Sequence, residues 1–258
     1  MWCMYVLVAI QIIIESLPIS SSGHGYLIEQ MWQSCDRISP EFRGLVYECA
    51  HGPTIVIVIL FFFHRWFWMI TSWRRCWPIM AKIVGLVCAA DIVTFVWYVI
   101  FAYAPWLRIP LSVGFCVTAL VLYSLRYCPR RKVRPWSWRS ALIIGCVQGV
   151  ALQPGISRLA TTYAAGCWLG LGAYTALEVS LLVQLPLIGA AWLVSLIKIY
   201  LRGMVAHVIT VPMLAVVFAS SVVAFLLLWW VARCAYAGKL WKLSWYMIVP
   251  LLASLMVH

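Results

Sequence analysis

The chain is poor in acid. Among 258 residues only seven are Asp or Glu, namely Glu15, Glu29, Asp36, Glu41, Glu48, Asp91 and Glu178, and charged residues of both signs make up 10% of the whole. So little charge, beside 65% apolar residues and a mean hydropathy of +0.97, excludes a water-soluble globule. Disorder, collagen and coiled coil are excluded by the same composition. The ten cysteines form no C-x-x-C pair and have no histidine at metal-ligand spacing. They read as small apolar packing residues. The apolar stretch from Met1 to Ile14 lacks the basic n-region and small-x-small cleavage site of a signal peptide, so it is read as part of the mature chain.

Long apolar runs and aromatic side chains are abundant instead, with sixteen Trp, twelve Tyr and ten Phe, as expected of lipid-facing surfaces with interfacial aromatic belts. A spanning helix needs about 20 apolar residues. Six segments meet or approach that length, at 44–64, 83–104, 111–128, 176–200, 208–231 and 243–257. Two further apolar stretches are interrupted. The first, 1–34, is broken by Leu17-Pro18-Ile19-Ser20-Ser21-Ser22-Gly23, and the second, 140–173, by Gln153-Pro154-Gly155-Ile156-Ser157-Arg158. Their halves are too short to cross the hydrocarbon, which predicts two re-entrant helical hairpins.

The order is a hairpin and three spans, twice. An odd number of spans per unit turns the second unit upside down. Gln11 and Pro18 of one break correspond to Gln148 and Pro154 of the other. The expected fold is therefore an all-α integral membrane protein with an inverted-topology repeat, each half a re-entrant helical hairpin plus three transmembrane helices. It forms a single membrane domain, 1–258, with repeat one at 1–128, a basic cytoplasmic loop at 129–139 and repeat two at 140–258.

The formal charge of +12 first raises nucleic acid as a partner. Sorting the nineteen bases by loop gives another reason for it. With 64–82 read as a cytoplasmic loop, thirteen bases fall on that side, five on the other (Arg37, Arg43, Arg108, Lys198 and Arg202), and Arg158 alone lies within the membrane. This positive-inside bias places both termini outside and leaves no call for nucleic acid.

Glu15 stands at the first break with no base near it in sequence. An ionisable group at that depth costs about 2.5–3.5 kcal/mol on insertion scales, so it is a candidate for function. Ser20, Ser21 and Ser22 follow a proline and can cap a helix whose free N–H groups attract phosphate. With Glu15 and His24 they assemble an acid, hydroxyls and an imidazole within ten residues, the inventory of phosphoester hydrolysis. At the second break Ser157 can cap a helix opening at Arg158, whose planar fork suits phosphate, with Thr161 and Thr162 one turn on. Glu48 and His51, one turn apart in the first span, are placed either beside the site or as an interfacial pair. Asp91 and Glu178 read as structural contacts. Gln148 and Gln153 either line the pocket or satisfy backbone broken at Pro154.

Glu15-Ser16-Leu17-Pro18-Ile19-Ser20-Ser21-Ser22-Gly23-His24 and Pro154-Gly155-Ile156-Ser157-Arg158-x-x-x-Thr162 resemble the two signature motifs of the undecaprenyl-diphosphate phosphatases, or bacitracin-resistance proteins. The resemblance extends over the whole chain in length and span order. It implies an enzyme of the bacterial inner membrane that cleaves a polyprenyl diphosphate to recycle the lipid carrier for cell-wall synthesis, and with both termini outside the site is expected to open to the outer face. Glu15, Ser21, His24 and Arg158 take the catalytic positions. Ser20, Ser22, Ser157, Thr162 and Gln148 are the substrate-binding candidates. The resemblance also implies a divalent cation, Mg or Ca, held at Glu15 and position 11. There the family usually has a second glutamate, one turn before Glu15, and this chain has Gln11. After Arg158 stand Leu159 and Ala160, where the family typically has serine and glycine. A homodimer stays open. Two rivals remain, a polyprenyl-phosphate flippase and a catalytically weakened lipid-binding paralogue.

Overall fold

The computed structural model describes residues 2–31, 39–129 and 133–256. Asp36, Arg37 and the 130–132 part of the basic loop lie outside the described residues, as do the outer ends of the first hairpin and of the last span. Among the described residues every regular element is helical, and there is no strand.

The first hairpin is α1 (Trp2–Glu15) and α2 (Ser21–Met31), and the span after it is α3 (Pro40–Cys49) with α4 (His51–Phe61). Pro53 explains the interruption at Ala50, because a proline has no N–H to give the carbonyl four residues back, here that of Cys49. Then come α5 (Phe63–Thr71), α6 (Trp73–Tyr103) and α7 (Leu111–Ser124). The second hairpin is α8 (Trp138–Val150) and α9 (Arg158–Trp168). It is followed by α10 (Ala173–Leu201), the short α11 (Val205–Val208), α12 (Val211–Tyr236), α13 (Leu243–Tyr246) and α14 (Ile248–Met256). Pro250 ends α13 at Tyr246 as Pro53 ends α3 at Cys49.

Four helices are long and apolar enough to cross a membrane: Pro40–Phe61, Trp73–Tyr103, Ala173–Leu201 and Val211–Tyr236. The runs expected at 111–128 and 243–257 are shorter helices, Leu111–Tyr127 and Leu240–Met256, of about 25 Å at 1.5 Å per residue. The segment 64–82, expected as a loop, is helical instead, formed by α5 and the first turns of α6. Its bases interrupt the apolar run but do not break helix, and it holds no glycine. Arg65 there turns back to pair with Glu178 at 2.8 Å, with the Trp66 Nε1–H donating to the same carboxylate at 3.4 Å. Among the cysteines, Cys3 packs beside Leu7 as expected and is in addition disulfide-bonded.

The hairpins pack inside the bundle. α1 lies along α12, α8 along α6, α10 beside α9, α3 and α4, and α7 against α14. The α6–α8 contact depends on small residues that let two backbones approach. A Cβ on Gly145 would meet the Ala90 carbonyl oxygen at 2.4 Å, and one on Gly149 would meet Trp97 at 2.2 Å. The two breaks touch as well, since a Cβ on Gly23 would come within 2.9 Å of the Gly155 Cα, and α7 presses on the second break, where a Cβ on Gly114 would lie 1.9 Å from the Pro154 oxygen.

Candidate active site

The chain reverses after Glu15 because Pro18 cannot continue the helix and Ser20 takes a left-handed φ of 67°. For a residue other than glycine that conformation is strained and needs fixing from outside. The Ser20 hydroxyl accepts from the Gly23 N–H (3.3 Å), and its carbonyl accepts from His24 Nδ1 (2.7 Å). At the second break Gly155 carries the left-handed turn, φ 82°. Thr118 of α7 pins that turn, donating to the Gly155 carbonyl (2.8 Å) and accepting from the Ser157 N–H (3.0 Å). Ser157 caps α9, its hydroxyl accepting from the Ala160 N–H at 3.2 Å.

These turns deliver Glu15 and Arg158 to one point. Arg158 Nη2 donates to Glu15 Oε1 at 2.8 Å across 143 positions of sequence. The carboxylate is buried, at 3% side-chain exposure against 19% for the guanidinium. Its remaining acceptor directions are filled too. Gln184 Nε2 of α10 donates to Oε1 at 2.5 Å, Gln11 Nε2 donates to Oε2 at 3.0 Å, and the Ser21 hydroxyl donates to Oε2. The second proton of the Gln11 amide points to His51 Nδ1 at 3.2 Å, so that nitrogen accepts and the His51 ring proton sits on Nε2.

A narrow cleft opens beside this pair, with about 20 Å³ of free space, room for little more than one water. Glu15, Ser20, Ser21, Ser22, Ser157, Arg158 and Gln184 line it. The first turns of α2 and α9 face it from opposite hairpins, and each leaves N–H groups outside its helical ladder. Positive helix ends, hydroxyls and a guanidinium beside one buried carboxylate suit a phosphate group with a proton acceptor at hand.

Three expected site residues are elsewhere. Gln148 is fully buried and spends its Nε2 on Asp91 (3.1 Å), Thr94 (3.2 Å) and the Val183 carbonyl (3.2 Å), tying α6, α8 and α10 together. Thr162 turns its hydroxyl back to the Arg158 carbonyl at 2.7 Å, as a threonine inside a helix commonly does. The His24 ring points away from the cleft, stacked on Tyr246 and edge-on to Phe115, with Nε2 3.2 Å from the Tyr246 hydroxyl. Its Nδ1 faces a carbonyl and must donate, so Nε2 accepts from the tyrosine. Of the pair expected at 48 and 51, His51 joins the site, while Glu48 accepts from Ser195 at 2.5 Å. Gln153 satisfies backbone, bonding the Ile109 N–H and the Leu107 carbonyl.

Gln184, Tyr246 and Thr118 escape a reading of motifs because each belongs to an ordinary-looking apolar helix. An amide inside a span, two residues before Pro186, is the one signal that marks Gln184.

In this arrangement the Glu15 carboxylate has no acceptor direction left over for a divalent cation. No group of three His, Cys, Asp or Glu forms a cluster among the described residues. A carboxylate has about four lone-pair directions, and all four on Glu15 receive donors, one of them a guanidinium. Gln11 turns its NH₂ to Glu15 and His51 and leaves its Oε1 buried without a hydrogen-bond partner.

The model of the bacitracin resistance protein BacA family matches residues 4–252. A protein of Thermotoga sp. named undecaprenyl-diphosphatase is 29% identical over 252 residues, covering 96% of this chain and 97% of its own. One of the same name from Elusimicrobium minutum is 28% identical over 221 residues, 83% of each chain. A third, from Mycobacterium tuberculosis, is 29% identical over 253 residues, 88% of this chain and 85% of its own. The match takes in both hairpins and the helices around them, and the chain belongs to the bacitracin resistance protein BacA family.

Proposed function

We propose that the chain hydrolyses undecaprenyl diphosphate to undecaprenyl phosphate and inorganic phosphate, returning the lipid carrier to cell-wall synthesis in the bacterial inner membrane. The observation that carries this reading is the buried Glu15, bonded at once to Arg158 and to the Ser21 hydroxyl. The name shared by the relatives supports the choice of substrate.

Ser21 is the nucleophile in this scheme and Glu15 its base, because the hydroxyl already donates to that carboxylate. Ser21 Oγ attacks the terminal phosphorus as Glu15 takes its proton. The bond to the bridging oxygen breaks with its electron pair, and undecaprenyl phosphate leaves, protonated by Glu15. Water then attacks the phosphoserine, giving its proton to Glu15, and Ser21 recovers one as inorganic phosphate departs. Only one nitrogen of the Arg158 fork is committed to Glu15, so its other donors are free to hold phosphate oxygens and stabilise the charge spread in the transition state. The first turns of α2 and α9 add N–H donors. His24 acts as a positioning residue that holds the Ser20 carbonyl, and with it the strained turn presenting Ser21. The divalent cation implied by the resemblance would offset charge on the diphosphate, while Ser21, Glu15 and Arg158 carry the attack, the proton transfers and the phosphate contacts.

The inverted repeat, with its halves at 1–128 and 140–258 joined by the basic loop 129–139, is supported by reciprocal packing. The first hairpin arm of each half lies on the second long span of the other, α1 on α12 and α8 on α6. Both termini are proposed to face the periplasm, with the cleft open to that side. The charge bias supports this, as does the disulfide at Cys3, a bond that persists in an oxidising compartment. Proteoliposomes carrying undecaprenyl diphosphate test the function. Release of inorganic phosphate is expected. Lipid phosphate crossing between leaflets without release would replace hydrolysis by a flippase, and tight binding with neither event would indicate a lipid-binding paralogue.

A further inference from the structure

The second hairpin carries another cavity, at the opposite end from the catalytic cleft, where the chain enters α8 and leaves α9. It holds about 280 Å³, close to the lower end of the 300–1,000 Å³ usual for a ligand pocket. Arg134 and Arg139 give it charge, while Leu169 and Leu171, from the turn after α9, give it an apolar wall. Both arginines are exposed, and among the described residues neither has an acid within ion-pair distance. The acids that form ion pairs there take Arg65, Arg158 and Arg202 instead. The backbone that presents the two arginines is fixed. The Arg134 N–H donates to the Gly170 carbonyl at 2.8 Å, Trp136 is buried in the main core, and Ser137 and Ser140 close a reciprocal capping box at the start of α8.

We infer that this cavity binds the headgroup of an anionic phospholipid, with its phosphodiester held between Arg134 and Arg139. The inference goes beyond the hydrolysis proposed above and does not depend on it. Depth is the first argument. From Arg158 at the hairpin tip to Trp168 at its open end, α9 rises about 15 Å at 1.5 Å per residue, half of the roughly 30 Å of hydrocarbon. The cavity therefore stands where headgroups lie. Trp138 and Trp168, 55% and 41% exposed, are at the same level, as interfacial tryptophans are. Charge is the second argument. Two guanidiniums on a rigid frame, with no acid of the chain to neutralise them, suit the oxygens of a phosphate, and bases beside the membrane draw anionic lipid. The leucines and tryptophans give acyl chains a path out of the cavity and offer nothing to a free anion, so a lipid is the occupant. Its headgroup would bridge the entry and the exit of the second hairpin, whose α9 presents Arg158 at the other end.

Native mass spectrometry of the delipidated full chain, titrated with phosphatidylglycerol or phosphatidylcholine, reads the site without needing turnover. Phosphatidylglycerol is expected to be retained in preference to phosphatidylcholine. The double variant Arg134→Gln with Arg139→Gln is expected to weaken its binding about tenfold, the order set by two bases facing an anionic lipid. Arg74→Gln with Arg75→Gln removes the same charge from the same side of the membrane, at residues that do not line the cavity, and is expected to leave binding unchanged. Equal losses in the two double variants would mean diffuse surface charge and overturn the inference, as would no loss in either. Release of the lipid by millimolar inorganic phosphate overturns it too, making the cavity a free-anion site. Melting temperatures without lipid check folding, and if the Arg134 and Arg139 double variant melts below the wild type, Arg139→Gln alone, at an exposed position, replaces it and is expected to lose part of the affinity; full affinity there overturns the inference.

Discussion

Replacing Gln11 by glutamate reverses the chemistry of the site's most buried contact. In the wild type the Gln11 amide donates one proton to Glu15 Oε2 at 3.0 Å and the other to His51 Nδ1 at 3.2 Å. In Gln11→Glu both donors become acceptors, and two carboxylates stand about 3 Å apart. At an effective dielectric of about 20, two unit charges at that distance repel by roughly 5 kcal/mol. The substituted side chain can relieve this by holding a proton or by binding a cation, and paired carboxylates on one helix face are the chemistry that hard divalent cations use. Calorimetric titration of the detergent-solubilised protein with Ca²⁺, without substrate, reads the outcome. The wild type is expected to bind no ion at this site, while Gln11→Glu binds one and gains thermal stability on doing so. Without divalent cation Gln11→Glu should melt several degrees below the wild type, since about 1 kcal/mol shifts a domain of this size by roughly 2–4 °C. Substrate-free Ca²⁺ binding by the wild type, abolished by Glu15→Gln, would refute the reasoning, as would a Gln11→Glu protein that neither binds the ion nor loses stability.

Other substitutions probe the remaining contacts. Arg158→Ala should lower phosphate release by about 10²–10³, the usual effect of removing a donor to transition-state charge, and should reduce thermal stability by leaving the Glu15 charge buried and unpaired; Arg158→Lys, with charge but no fork, should recover only part of the rate. His24→Ala should lower kcat about tenfold with KM little changed, because it releases the Ser20 turn and touches no substrate; Tyr246→Phe should cost less, and equal losses in the two would assign the tyrosine a larger part. Gly114→Ala places a methyl 1.9 Å from the Pro154 oxygen and should destabilise by about 1–3 kcal/mol, the range for overpacking, read as a lower melting temperature, because backbone must move at the second break.

Much of this arrangement is legible in the chain itself, and the parts that are not share a cause. Pro18 and Pro154, each followed by glycine and serine, mark both hairpin breaks, because backbone chemistry acts locally. Glu15 and Arg158 stand out because buried charge is scarce in so apolar a chain. That they bond to each other follows only from the packing of distant helices, as does the reach of Gln184 from α10 to Glu15. Expectation failed where a polar side chain had two uses for its donors. Gln148 and Thr162 serve neighbouring helices and backbone, and His24 turns from the cleft to Tyr246. The helix over 64–82 was hidden by its bases, which set charge topology without disfavouring helix.

Chemical capture of a phosphorylated Ser21 tests the central claim most directly. Purified protein mixed with undecaprenyl diphosphate labelled in its terminal phosphate, quenched in acid within a single turnover, should carry label on the peptide containing Ser21. Ser21→Ala should carry none and should release phosphate at least 10³-fold more slowly. Rapid release with no protein-bound label, together with wild-type turnover by Ser21→Ala, would contradict the account.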